Sequence, residues 1–138
     1  MRTYLLDTDV ISEVRKHRPH GAVLTWLSRL GSEQILLSAV SIGELQNGVE
    51  LTRRQDPQKA KEIESWIDLV EISFRVLPVD GKAFRECARL MRRRPGHLLQ
   101  DAMIAASARV NDLTVATRNE SDFRIFEVAV FNPFKSVS

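Results

Sequence analysis

Four acidic side chains stand at positions where an α/β fold would gather them. Asp7 follows the first apolar segment, Glu44 follows the second, Asp122 follows the third, and Asp101 opens a helix rich in alanine. In open α/β sheets ligands bind beyond the carboxyl ends of the strands, so acids that are distant in sequence can converge there. Clustered carboxylates select hard cations such as Mg²⁺ or Mn²⁺ rather than zinc. Such an ion activates water and stabilises the oxygens of a phosphodiester under attack.

Most of these acids also have a local explanation. Ser41 and Glu44 have the spacing of a capping box, in which Glu44 reaches back to the backbone of Ser41. The acid that opens the alanine-rich helix favours its N-terminal dipole, and the last of the four fits a turn. The nearby Asp9 fits a helix N-cap. Asp7 has the weakest local explanation, since nothing in its surroundings accounts for an acid directly after Leu5-Leu6.

Apolar periodicity predicts strands that alternate with helices. The predicted strands are residues 3–6, 35–37, 113–116 and 128–130, and residues 76–79 are expected to be extended. Helices are predicted from Val10, from Ala22, from Ser41, from Pro57, after a cap at Asp80, and from about Leu99 to Val110. This alternation indicates the α/β class, as a three-layer α/β/α sandwich with a mostly parallel central sheet. No repeat or linker divides the sequence, so we expect one domain over residues 1–138.

Composition excludes several other classes. Hydrophobic residues make up 43% and charged residues 28% of the 138 residues, and no apolar run is long enough to cross a membrane. Cys87 is the only cysteine, so an internal disulfide is excluded, and its position on an apolar helical face predicts burial. Asp7 and Asp9 interrupt the first apolar run too early for a signal peptide, and we therefore expect a cytoplasmic protein without membrane contact.

Other catalytic schemes lack their required residues. The three histidines, His17, His20 and His97, have no metal-binding spacing, and the sequence contains neither a G-x-S-x-G elbow nor a phosphate-binding G-x-x-x-x-G-K-[ST] loop. Residues 6–10 also fit the nucleophile motif of haloacid-dehalogenase-type phosphatases. That class needs a later lysine at a strand end and a paired-acid motif, and the second half of the chain offers neither.

Five sequence blocks together resemble the PIN-domain nucleases, and in particular the VapC/FitB-type toxins of type II toxin–antitoxin pairs. The blocks are residues 5–13, 37–45, 100–106, 117–123 and 131–134, in the family's order and spanning nearly the whole chain. The resemblance implies that Asp7, Glu44, Asp101 and Asp122 form a site for Mg²⁺ or Mn²⁺. Asp7 and Asp101 would be its usual direct ligands, while Glu44 and Asp122 complete the charge and orient or activate water.

The resemblance also implies supporting residues. Ser41, Thr117 and Asn119 would hold the site by hydrogen bonds, and Asp9 would be an outer residue at a position that is often Asn in relatives. Arg118 precedes the acidic loop and is predicted either to clamp a phosphate or to pair with Glu120 or Asp122.

The implied activity is metal-dependent cleavage of RNA that leaves 5′-phosphate and 3′-hydroxyl ends. The implied partners are the RNA substrate and a small cognate antitoxin of the VapB/FitA type, and the implied assembly is a homodimer. Basic clusters at residues 15–18, 53–54 and 92–94 are either solvated helix ends or sources of salt-dependent RNA affinity. The alternative is a non-catalytic PIN module that acts in DNA binding through its antitoxin.

Overall fold

A sheet of parallel strands forms the centre of the computed structural model, which describes residues 1–135. The strands are β1 (Tyr4–Leu6), β2 (Ile35–Ser38), β3 (Arg75–Leu77), β4 (Thr114–Ala116) and β5 (Val130–Phe131). Their order is β3-β2-β1-β4-β5, and each neighbouring pair is parallel. The carboxyl ends of the strands therefore share one edge, and the predicted mostly parallel sheet is confirmed.

Helices connect the strands. They are α1 (Thr8–Arg15), α2 (Gly21–Ser28), α3 (Ala39–Arg53), α4 (Pro57–Ser73), α5 (Gly81–Leu90), α6 (Leu99–Val110) and α7 (Glu120–Arg124). Short 3₁₀ turns at Ser32–Gln34 and Gly96–Leu98 precede β2 and α6. The predicted cap at Asp80 is present, since its carboxylate accepts the Ala83 N–H at 3.0 Å.

Two hydrophobic clusters cover the two faces of the sheet. Successive residues of β1 point to opposite faces, as the strand period requires. Leu5 packs into the cluster that contains the alanines of α6, and Leu6 packs into the cluster that contains Val10, Ile11 and Val23. Leu5 is fully buried, and truncation to alanine at such a site costs about 2–5 kcal/mol. The three-layer α/β/α prediction is thus confirmed.

The differences from the predicted elements lie at their boundaries. The strand predicted at residues 128–130 is Val130–Phe131, and the segment predicted to be extended at residues 76–79 overlaps β3. Helix α3 begins at Ala39 rather than at Ser41. Cys87 is buried, as predicted. Residues 136–138 lie outside the described residues, so the single domain over residues 1–138 stays a prediction.

Among the described residues, no helix is both long enough and apolar enough to cross a membrane.

Candidate metal centre

Asp7 lies at the carboxyl end of β1, where its carboxylate is held from two sides. Its Oδ1 accepts the Thr8 N–H at 2.8 Å, so Asp7 itself is the N-cap of α1. Its Oδ2 accepts the Thr117 hydroxyl at 2.9 Å, and its backbone N–H extends the β1–β4 ladder by donating to Ala116. The side chain is buried at 7% exposure. The N-cap interpretation of Asp9 is therefore wrong, because Asp7 occupies that position.

Thr117 connects β4 to Asp7. Its backbone N–H donates to the Phe131 carbonyl at 2.9 Å, which fixes it against β5. Its hydroxyl donates to Asp7 and accepts the Asn119 N–H at 3.0 Å. Asn119 thus contacts this network through its backbone, and its side chain does not cap α7.

Glu44 approaches Asp7 from α3. That helix is capped by Ser38, whose hydroxyl accepts the Val40 N–H at 3.1 Å, so the capping-box interpretation of Ser41 and Glu44 is wrong. The Glu44 carboxylate instead accepts the Thr8 hydroxyl at 3.1 Å, across 36 positions in sequence. Within residues 1–135 the buried Ser41 hydroxyl has no hydrogen-bond partner, so the hydrogen bond predicted for Ser41 is absent.

Asp101 and Asp122 complete the edge from the first turns of α6 and α7. The pKa of Asp101 is raised to about 6, first by desolvation and then by the negative charges of Asp7, Asp122 and Glu44. Such interactions weaken with distance, so Asp7, Glu44 and Asp122 lie near Asp101. The topology therefore brings together the four acids selected from the sequence.

Burial and like charges also raise the pKa of Asp7 and that of Glu44. For Asp7 desolvation is the largest cause, the hydrogen bonds from Thr117 and Thr8 oppose it, and Asp122 adds repulsion. The pKa of Glu44 is raised by desolvation and by Asp7, against the hydrogen bond from Thr8. Each group is thus less stable as an anion than it would be in water. A bound cation would relieve this cost.

Asp9 lies in the first turn of α1, two residues after Asp7. One of its oxygens accepts the Arg118 N–H at 3.1 Å, while the other is buried without a hydrogen-bond partner among residues 1–135. Desolvation and the charge of Asp7 raise the pKa of Asp9 to about 6. Asp9 therefore ties the loop after β4 to α1, at a cost in electrostatic energy.

The donor set fits a hard divalent cation, although the carboxylates lie near one another rather than around a single point. None of the four carboxylates forms a salt bridge within the described residues. As placed, residues 1–135 contain no group of three or more Asp, Glu, His or Cys side chains that could hold a metal ion. Carboxylates repel one another in the absence of a counter-charge. Their all-oxygen chemistry suits Mg²⁺ or Mn²⁺.

Arg118 does not pair with Glu120 or Asp122, so that interpretation is wrong for the described residues. Its guanidinium carbon lies 3.8 Å from the centroid of the Phe134 ring. Glu120 instead binds Arg124 at 2.8 Å and Lys135 at 2.7 Å. Sequence reasoning missed the contact with Phe134. The only sequence feature that drew attention to Phe134 is its place in the block of residues 131–134.

The three basic clusters are partly engaged within the protein. Lys16 pairs with the buried Glu13 at 2.8 Å. Arg53 bridges acids of α3 and α4, and Arg94 donates to two backbone carbonyls. These cations therefore have structural roles, and fewer of them are free to bind phosphate than the sequence suggests.

Comparisons with known proteins agree with this architecture. A family model of the PIN domain matches residues 4–128. Toxin FitB of Neisseria gonorrhoeae is 36% identical over 136 residues, covering 94% of this chain and 97% of FitB. VapC ribonuclease Y4jK of Sinorhizobium fredii is 36% identical over 139 residues, covering 95% and 97%. The structure of FitAB bound to an IR36 DNA fragment superposes with a TM-score of 0.83 at 31% identity, covering 99% of both chains. The chain therefore belongs to the PIN-domain family, in the group of the VapC and FitB toxins.

Proposed function

We propose that the chain is a divalent-metal-dependent endoribonuclease that acts in the cytoplasm as the toxin of a type II toxin–antitoxin pair. The observation that carries this proposal is that Asp7, Glu44, Asp101 and Asp122 lie near one another at the carboxyl edge of the sheet and form no salt bridge within residues 1–135. A protein that only needed stability gains nothing from acids without counter-charges. The ribonuclease name of a relative such as Y4jK supports RNA as the substrate.

In this proposal Asp7 and Asp101 hold the ion, and Glu44 and Asp122 contact it directly or through water. Bound Mg²⁺, or Mn²⁺ in its place, would supply positive charge that stabilises the oxygens of the phosphodiester and acidifies water. Thr117 fixes the orientation of the Asp7 carboxylate through its 2.9 Å hydrogen bond. Such supporting hydrogen bonds keep ligands in a productive geometry.

The other two carboxylates, Glu44 and Asp122, orient the attacking water. Glu44 is held toward Asp7 by Thr8, and Asp122 is exposed at the start of α7. Each can accept a hydrogen bond from water and orient its oxygen toward phosphorus, so that the 3′ oxygen leaves. This direction of attack gives a 5′-phosphate and a 3′-hydroxyl. Arg118, exposed beside the same edge, binds a substrate phosphate.

We also propose a small antitoxin of the VapB/FitA type as partner, and a homodimer as the toxin's assembly. A similar solved structure contains FitB with FitA on DNA, which supports an antitoxin for this chain. The alternative, a non-catalytic module that acts only through DNA binding by its antitoxin, is disfavoured because all four acids are present and the charges of the other three raise the pKa of Asp101.

The test is RNA cleavage by the purified protein with Mg²⁺ or with EDTA. We expect cleavage with Mg²⁺ only, and its loss in Asp7→Asn and Asp101→Asn. Asp56→Asn is the matched control, because Asp56 also caps a helix, at the start of α4, and asparagine caps equally well. Full metal-dependent cleavage by Asp7→Asn or Asp101→Asn would overturn the site. A wild-type protein that cleaves no RNA would favour the non-catalytic module.

A further inference from the structure

The guanidinium of Arg118 is stacked closely on an aromatic ring. Its carbon lies 3.8 Å from the Phe134 centroid, whereas Arg94 lies 5.1 Å from Phe126 and Arg15 lies 5.9 Å from Trp66. Phe134 is 9% exposed, so the ring is a nearly buried platform beneath an exposed cation. Stacking of this kind restricts the orientation of the guanidinium plane.

Phe134 is itself held in position from two directions. Its backbone N–H donates to the Asn132 side-chain oxygen at 2.9 Å, and the Asn132 amide donates to Glu120 at 3.2 Å. The His20 ring contacts the Phe134 ring edge-on, at 5.4 Å between centroids and 72° between planes. The ring under Arg118 is therefore fixed by contacts with α7 and with the start of α2.

His20 is anchored in turn by a buried acid. Its backbone N–H donates to Glu13 at 2.8 Å, and its Nδ1 accepts the Ala22 N–H at 3.2 Å. Glu13 is 4% exposed and paired with Lys16. A continuous set of contacts thus runs from the end of α1 through His20 and Phe134 to the guanidinium.

The polar groups of that guanidinium are not used within the described residues. Arg118 forms hydrogen bonds there only through its main chain, by donating to Asp9 and by accepting from Asn132. Its main chain directly follows Thr117, which donates to Asp7, and its charge acts on Asp9 and on the buried Glu13. A guanidinium whose face is covered still presents its in-plane N–H groups, and these suit a phosphate bidentately.

We propose that Phe134, backed by His20, is a positioning residue that orients Arg118 to bind an RNA phosphate on the Asp9 side of the carboxylate edge. This inference rests on the proposed function, because it requires RNA as the ligand. Phe134 does not touch the substrate and acts through Arg118. The competing role is that of a core residue which only closes the sheet face.

A double-mutant cycle separates the two roles. RNA cleavage is measured as kcat and KM for wild type, Phe134→Leu, Arg118→Ala and the double variant, with melting temperatures as a check of folding. We expect Phe134→Leu to raise KM about 3- to 10-fold with a smaller change in kcat. In the Arg118→Ala background the same substitution should leave KM nearly unchanged, because no guanidinium remains to be oriented.

Two further variants make the test specific. Phe134→Tyr keeps the ring face and should have the same KM as the wild type, unlike Phe134→Leu. Phe131→Leu is the matched control: it keeps the backbone carbonyl that accepts the Thr117 N–H and removes a ring that contacts Tyr4 and Trp26 rather than a cation, so it should leave KM unchanged. By NMR, the side-chain protons of Arg118 should show a ring-current shift that is lost in Phe134→Leu and kept in Phe134→Tyr.

The positioning role would be overturned if Phe134→Leu changed KM equally with and without the Arg118 side chain. It would also be overturned if the NMR shifts of the Arg118 side-chain protons were the same in Phe134→Leu and in the wild type. If the wild type neither binds nor cleaves RNA, the proposed function fails together with this inference. If the wild type cleaves RNA and the two substitutions are additive, only the inference fails.

Discussion

Neutralising Asp101 should stabilise the protein when no metal is present. The pKa of Asp101 is raised from its ordinary 3.8 to about 6 by desolvation and by Asp7, Asp122 and Glu44. The folded state therefore binds this proton more tightly than the unfolded chain does. By linkage, the free energy of unfolding falls as the pH rises from about 4 to about 6, and the full penalty is present at neutral pH.

The size of the penalty follows from the same shift. Fully expressed, it corresponds to about 3 kcal/mol, but Asp101 is only half-buried and solvent screening reduces this to about 1–2 kcal/mol. Asp101→Asn also loses about 0.5 kcal/mol of favourable interaction with the N-terminal dipole of α6. The expected net gain is about 1 kcal/mol, or about 4 °C in melting temperature.

The assay is thermal unfolding followed by circular dichroism in EDTA, at neutral pH and at about pH 4. Asp101→Asn should have a higher melting temperature than the wild type at neutral pH, and this difference should be smaller at about pH 4. Asp68→Asn, at an exposed acid of α4, serves as control. With Mg²⁺ in place of EDTA the order should reverse, since only the wild type gains binding energy. A variant that melts below the wild type in EDTA at neutral pH would refute the reasoning.

Three other substitutions test the surroundings of the site. Thr117→Val removes the hydrogen bond to Asp7, and should lower the free energy of unfolding by about 2 kcal/mol and strongly reduce RNA cleavage; unchanged activity would contradict it. Ser41→Ala removes a buried hydroxyl without a partner within residues 1–135, so the free energy of unfolding measured with denaturant should rise by about 1 kcal/mol. A fall in that free energy would support the capping-box interpretation instead. Asp9→Asn keeps an acceptor for Arg118 and relieves repulsion with Asp7, so it should raise the melting temperature in EDTA and preserve cleavage; an inactive variant would make Asp9 essential.

Strong local patterns predicted the interior of the fold. Helix α6 is predicted at about Leu99 to Val110 and is found there. Its apolar run is long, so the helix can be recognised without exact knowledge of where it begins and ends. Pro57 at the first helical position and Asp80 as a cap were also predicted, since each acts through its own backbone geometry. The convergence of four acids followed from parallel topology, which depends on element order rather than on exact boundaries.

Boundaries and long-range contacts could not be read in the same way. The sequence pattern favours a cap at Ser41, but the Ser38 hydroxyl caps α3 instead. The two-residue strand β5 depends on pairing with β4 and so has little signal of its own. The stacking of Arg118 on Phe134 joins side chains that no helical or strand spacing relates, and only the tertiary structure brings them together.

The most direct test of the carboxylate site is to measure Mn²⁺ binding at neutral pH by electron paramagnetic resonance. The wild type and Asp56→Asn should bind the ion with equal affinity, and Asp101→Asn should lose most of that affinity because it removes a direct ligand. Equal binding by Asp101→Asn and the wild type would contradict a metal centre at the carboxyl edge of this sheet.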